Sequence, residues 1–190
     1  MAAFSVVELM FVLGIAATLA SLVVPSLRAG LDDMRAVAAS RHVMARLQQA
    51  RGRAVMRGRA TAVRFTPSST GYVVSMYEDG NGNGVLAADI ATGVDALVMP
   101  AERLTEQMPG TDFGALPDLP GAEGSTAPGA DPIRLGSSDG VTFTADGTAT
   151  SGSLYLLGSG GAQYVVRIYG ETGLTRILKF HRATGLWAPL

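Results

Sequence analysis

The chain has 190 residues, a formal net charge of −1 and no cysteine. That length allows one domain with a sizeable core plus an appendage, and the lack of cysteine excludes a disulfide framework and any thiolate metal site. Hydrophobic residues make up 47% and charged ones only 16%, with 24 glycines and 9 prolines, a composition that suits a turn-rich, β-rich body.

The small net charge hides a polarity along the chain. Residues 28–64 hold nine arginines against Asp32 and Asp33, a net of +7. Residues 65–166 hold twelve acids against Arg103 and Arg134, a net of −10, and residues 167–190 return to +3. The acidic middle is therefore a ready partner for the basic stretch before it, within one subunit or between subunits.

The first element is the run FSVVELMFVLGIAATLASLVVPSL at 4–27. A helix needs roughly 20 apolar residues to span a bilayer, and this run meets that length. Residues 9–27 carry no formal charge. A secretory signal peptide would show a basic start, a shorter apolar core and a small-residue cleavage site behind it. Only Met1, Ala2 and Ala3 precede this run, and no such site follows it. Glu8 is the one acid in it. An ionised carboxylate in a membrane helix costs about 2.5–3.5 kcal/mol at the centre and less near an end, so a cationic partner is expected. A plain interfacial Glu favoured by the helix dipole is the competing reading.

The helical pattern continues past Pro25, which bends a helix without having to end it. Leu27, Leu31, Met34, Val37, Ala38, Met44, Leu47, Ala50, Ala54 and Val55 recur at mostly helical spacing, with arginines over much of the remaining surface. Asp32 is placed to pair with Arg28 and Arg35. Gly58 is the expected stop. The prediction is one helix of about 54 residues, ~80 Å long. Its first part, 4–27, is lipid-compatible, and its amphipathic continuation, 28–58, is half-buried on a domain at 59–190.

Past Thr61 the period changes. ATAVRFT, GYVVSMYE, DALVMPAERL, GVTFTAD, GSLYLLG, QYVVRIYG and LTRILKFH read as short strands, separated by SSTG, DGNGNG, SSDG, SGG and ETG turns. Such spacing predicts antiparallel meanders rather than βαβ units. Residues 109–132 are rich in Pro, Gly and Ala without periodicity and are expected to form a flexible surface loop. The fold class is α+β, a long N-terminal helix packed on antiparallel sheets.

FSVVELMFVLGIAATLASLVVPSL closely resembles the N-terminal segment of type IV pilins and pseudopilins. Ala3, Phe4 and Glu8 occupy the positions of the residue before the processing cut, the first mature residue and the fifth-position Glu. Pro25 stands at the helix-kink position. Ala3 replaces the usual Gly of that motif, and residues 1–3 would be a residual leader. At the other end, VTFTADGTATSGSLYLLGSGGAQYVVRIYGETGLTRILKFHRATGLW resembles pseudopilins of the GspH/FimT type, through Phe143, Gly147, Tyr164, Val165, Val166, Thr172, Gly173, Arg176 and Trp187. The resemblance implies cleavage by a prepilin peptidase between Ala3 and Phe4 and N-methylation of Phe4. It also implies a single-pass inner-membrane protein with a periplasmic body, which polymerises through its helix with other pilins on a secretion or pilus assembly platform. In that setting the amine of Phe4 would neutralise Glu8. The expected function is a minor subunit of a type II secretion pseudopilus or a type IV pilus.

Two further sites are candidates. In EDGNGNGVLAADI, Asp79, Asn81 and Asn83 fall at positions one, three and five of an oxygen-ligand calcium loop, with Asp89 at eleven and Ile90 where the bidentate Glu would stand. Alternating Gly and Asn are equally what tight turns with positive φ require. No cofactor is expected beyond calcium at this loop. Some FimT-like members bind DNA through a GRxR motif in the C-terminal hairpin. Here Leu174 replaces its first arginine, while Arg176, Lys179 and Arg182 remain, so a DNA-capturing minor pilin is one alternative function. A membrane-anchored periplasmic domain that never polymerises is another. No enzyme is expected: there is no GxSxG, and neither His42 nor His181 has a spacing to carboxylates that signals a base or a metal site. Trp187 is expected to cap the core.

Overall fold

The computed structural model describes residues 5–136 and 140–190. The first element is a single helix, α1 (Val6–Arg57). Ser5 caps its start by accepting from the Glu8 backbone N–H at 3.1 Å, so a first-turn orphan donor is satisfied. Gly58 closes it at φ 64° with its N–H on the Ala54 carbonyl, a left-handed cap that glycine adopts without steric cost. Pro25 lies within the helix.

The body is built from two antiparallel sheets. β1 (Thr61–Ser68), β2 (Gly71–Glu78) and β3 (Ala96–Arg103) form a meander, and β6 (Gly140–Phe143) joins it beside β1. The second sheet is the meander β7 (Gly152–Gly158), β8 (Gln163–Tyr169), β9 (Leu174–His181) and β10 (Leu186–Pro189). Two short strands, β4 (Thr111–Phe113) and β5 (Ile133–Arg134), both pair with β7. Short helices α2 (Ala87–Thr92) and α3 (Leu104–Gln107) fill the connections on either side of β3.

α1 lies across both sheets through a stripe that differs from the expected one. The buried apolar residues are Ala36, Ala39, Val43, Leu47, Ala50 and Ala54, with Ser40 buried among them, whereas Leu31, Met34 and Val55 are exposed. Four of the six are alanines, so the helix backbone approaches the sheets closely. A Cβ placed on Gly158 would lie 3.2 Å from the Ala36 Cβ. Between helix and sheets lies the main core, which includes Phe65, Met76, Phe143, Leu154, Leu156, Tyr164 and Val166. Phe113 of β4 stacks edge-on against Phe65 at 5.3 Å and Tyr72 at 5.6 Å, joining the two sheets.

The second sheet is covered on its other face as well. Leu119 and Ala122 pack there on Tyr155, Val165 and Leu178, with Phe180 and Trp187 at the edge. This corrects the expectation of a flexible loop at 109–132. The segment contributes β4, a 3₁₀ turn at Ala122–Gly124 and the lid of a second small core. Trp187 caps that core as expected, stacking on Phe180 at 5.2 Å and donating its indole N–H to the Pro120 carbonyl at 3.0 Å. Burial on both faces explains why β7 and β8 read as near-continuous apolar runs.

Candidate assembly helix and its anchorage

The membrane-length half of α1 stands clear of the body. Its most apolar 18-residue window has a mean hydropathy of 2.3 and is 0% buried. Val7, Met10, Phe11, Gly14, Ile15 and Thr18 line one shallow groove along it. The hydroxyls in this half turn back on the helix: Thr18 donates to the Ile15 carbonyl at 2.8 Å and Ser21 to the Thr18 carbonyl at 2.7 Å. Both hydroxyls thus find their acceptors within the helix, as lipid exposure requires, and Glu8 is left as the group that calls for a partner from outside. Glu8 is exposed in the first turn. Ala3 and Phe4, and with them the expected neutralisation of Glu8 by the Phe4 amine, lie outside the described residues.

Polar ties hold the other half of α1 to the sheets, and they account for part of the charge polarity read from the sequence. Glu102 of β3 accepts from Arg46 twice, at 2.8 Å on each carboxylate oxygen, and contacts His42 Nε2 at 3.0 Å. Glu78 of β2 accepts from Arg53 at 2.5 Å. Lower on the helix, Asp33 accepts from Lys179 at 2.8 Å and from the Tyr164 hydroxyl at 2.7 Å. Burial alone would raise both the Glu102 and the Asp33 carboxyl. At Glu102 the hydrogen bonds from Arg46 and His42 and the Arg46 charge outweigh it, at Asp33 the hydrogen bonds from Lys179 and Tyr164 and the Lys179 charge do, and both are held below the usual range. No sequence spacing marked a carboxylate for His42; in the fold its partner is Glu102, 60 residues away. Arg35 pairs with Asp32 at 3.5 Å as the spacing suggested.

The candidate calcium loop is a turn whose carboxylates face amides. Asp79 is buried and accepts from the backbone N–H of Asn81 at 3.0 Å, Gly82 at 2.7 Å and Gly84 at 2.9 Å. Burial would raise this carboxyl, but those three bonds and the Arg59 charge lower it. Asn81 and Asn83 both donate to Asp89, at 3.2 and 2.9 Å, so amide nitrogens point where a cation would need oxygens. Asp95, which the loop pattern did not include, closes the turn by accepting from Gly80 at 3.1 Å and Leu86 at 2.8 Å.

The three basic candidates of the C-terminal hairpin are also engaged internally. Arg176 pairs with Glu123 at 3.2 Å, Lys179 with Asp33 at 2.8 Å, and Arg182 donates to the Gly161 carbonyl at 3.1 Å. Two of the three charges are therefore met by acids of the same chain.

Residues 39–172 match the model of the family described as Type II transport protein GspH. No curated protein matches the chain. Among solved structures, one of the minor pseudopilin EpsH from the Type 2 Secretion System of Vibrio cholerae is similar at 15% identity, over 76% of this chain and 97% of that one, with a TM-score of 0.47. A second, a crystal structure of the same minor pseudopilin, is similar at 13% identity, over 83% and 94%, with a TM-score of 0.40. The family match runs from residue 39 within α1 through the whole first sheet and β4, β5, β7 and β8 of the second to the tight turn after β8, most of the chain, and on that extent this chain belongs to the GspH family of pseudopilins of type II secretion.

Proposed function

We propose that the protein is a minor pseudopilin subunit, held in the inner membrane by residues 4–27 with its body in the periplasm, which joins a secretion pseudopilus through that helix. The observation that carries this is the asymmetry of α1. One continuous helix has a half buried in the body and a half of mean hydropathy 2.3 with no burial at all. An exposed apolar surface of that size needs lipid or other helices around it, and a filament core supplies the second environment when the first is left. Glu8 is the selective element. Its carboxylate is tolerable in such surroundings if a cation meets it, and the amine of a processed Phe4 on a neighbouring subunit is that cation. The family match favours secretion over the pilus and DNA-uptake alternatives.

The test is co-purification of partner pseudopilins from membranes with the wild-type chain, Glu8→Gln and Glu8→Asp. Loss of partners with Glu8→Gln, retention with Glu8→Asp, and unchanged membrane insertion of all three are expected. Equal partner recovery with Glu8→Gln would favour a membrane-anchored domain that never polymerises. Cleavage and methylation are read separately, from the mass of the mature N-terminus.

A further inference from the structure

The second sheet carries a row of like charges where sheets ordinarily avoid one. Ser153 of β7 is opposite Arg134 of β5 on one side and Arg167 of β8 on the other, and Arg167 is opposite Arg176 of β9. Directly opposed residues share a face, with Cβ atoms about 4.5–5.5 Å apart, and like charges so placed are destabilising. The face is the one turned away from α1: Val166 and Ile168 pack in the main core, and Val165 packs in the small core behind. Arg167 alternates with Val166 and Ile168 and therefore shares the rear face with Val165.

The row is only partly neutralised. Arg176 has Glu123, which also accepts from the Tyr169 hydroxyl. Arg134 reaches Asp131 only at 4.0 Å, between two well-exposed side chains. Arg167 has no ion-pair partner among the described residues. Its Nη1 donates to the Gly152 carbonyl at 3.2 Å and to Ser153 Oγ at 3.0 Å, and its buried Nε has no partner. Arg134 and Arg167 line the same pocket, of about 360 Å³, together with the hydroxyl side chains of Ser125, Thr126, Ser151 and Ser153 and with Asp131 at the Arg134 side.

We propose that this pocket binds a carboxylate of an acidic peptide segment, with Arg134 and Arg167 taking its oxygens and the surrounding hydroxyls completing the donors. A planar guanidinium matches a carboxylate with two parallel N–H bonds, and an anion held between Arg134 and Arg167, which face each other across Ser153, supplies Arg167 with the counter-charge it lacks. The walls select against a polyanion. Asp131 lines the pocket and Glu123 holds Arg176, so one carboxylate fits between Arg134 and Arg167, whereas a phosphate chain running along the row would meet both acids. The pocket lies on the sheet face opposite α1, so its ligand does not depend on how the membrane helix assembles.

The full chain in detergent micelles is titrated calorimetrically with the peptide acetyl-Gly-Glu-Glu-Gly-amide at low ionic strength. The same peptide with Gln for Glu, and a short oligothymidylate, serve as comparators. Saturable binding of the Glu peptide is expected, with the Gln peptide weaker by about tenfold or more. Arg134→Gln should lose about tenfold in affinity with its melting temperature unchanged, since that side chain is well exposed. Arg134→Lys, which keeps the charge and removes the fork, should lose several-fold. Absence of saturable heat, equal binding of the Gln peptide, unchanged affinity of a folded Arg134→Gln, or tighter binding of the oligonucleotide than of the Glu peptide would each overturn the proposal.

Discussion

Glu102→Gln isolates the tie that joins α1 to the first sheet. The substitution keeps the shape of the side chain and removes its charge. Wild-type Glu102 makes three contacts, two to Arg46 at 2.8 Å and one to His42 at 3.0 Å, with its side chain 14% exposed. Hydrogen bonds to charged groups contribute about 1.5–3 kcal/mol and neutral ones about 0.5–1.5, so converting three of them removes roughly 3 kcal/mol gross. The Arg46 and His42 side chains keep 30% and 23% exposure, and water recovers part of the loss for both, leaving about 2 kcal/mol. For a chain of this size that lowers the melting temperature by about 4–8 °C, read by circular dichroism of the full chain in detergent. The sign with pH follows from the lowered Glu102 carboxyl. Its contribution is complete above the unfolded value of about 4.3 and is lost as pH falls through the lower folded value. The gap between wild type and variant should therefore be widest near neutrality and close on acidification. The gap isolates Glu102, because Asp33 and Asp79, also lowered, titrate in both proteins. A drop below 1 °C, or full additivity of Glu102→Gln with Arg46→Gln in a double-mutant cycle, would refute the reasoning.

Ala36→Leu should cost about 1–3 kcal/mol by overpacking, because Ala36 is fully buried and closely approached by β7 at Gly158; a denaturant midpoint shift checks it. Gly173→Ala should destabilise by more than about 1 kcal/mol, since Gly173 has φ +60° and an added Cβ would lie 2.2 Å from the Gly147 carbonyl oxygen. Asp79→Ala should cost about 2 kcal/mol by leaving three loop amides without their acceptor. In the wild type, millimolar calcium should leave the melting temperature unchanged, because that carboxylate is already engaged; a calcium-dependent rise would restore the ion reading.

How much of this was legible varied with the length of the signal. α1 and seven of the eight strands of four or more residues were readable from their periodicity, whereas β10 (Leu186–Pro189) was not. The two- and three-residue strands β5 and β4 were not, since alternation needs more positions to show. The helix pattern included Leu47, Ala50 and Ala54, which are buried, but also Leu31, Met34 and Val55, which are not, and it missed Ala36, Ala39 and Val43. A scan for large apolar residues finds surface available for burial, whereas a close crossing selects residues with little side chain. The segment 109–132 looked unanchored because Leu119 and Ala122, two small-core contacts among many prolines and glycines, hold much of it down. The ties of α1 were invisible for a different reason. Arg46 and Glu102 are 56 residues apart, and Lys179 and Asp33 are 146 apart, so nothing local marks them as partners.

The arginines of α1 divide by face, and the division bears on what surrounds the helix. Arg46 and Arg53 are turned to the first sheet and end on Glu102 and Glu78, so the acidic middle of the chain answers them within the subunit. Arg51 reaches the Gly147 carbonyl. Arg57 lies in the last turn, where the helix dipole favours a cation. Arg28 and Arg41 are exposed, with no ion pair among the described residues. Both stand on the part of α1 between the lipid-compatible half and the ties to β3, with Leu27, Leu31 and Met34 exposed beside them. A neighbouring subunit packed on that stretch would gain from apolar side chains at its centre and acids at its edge. Neither the lipid interior nor a second basic helix in the same register offers that combination.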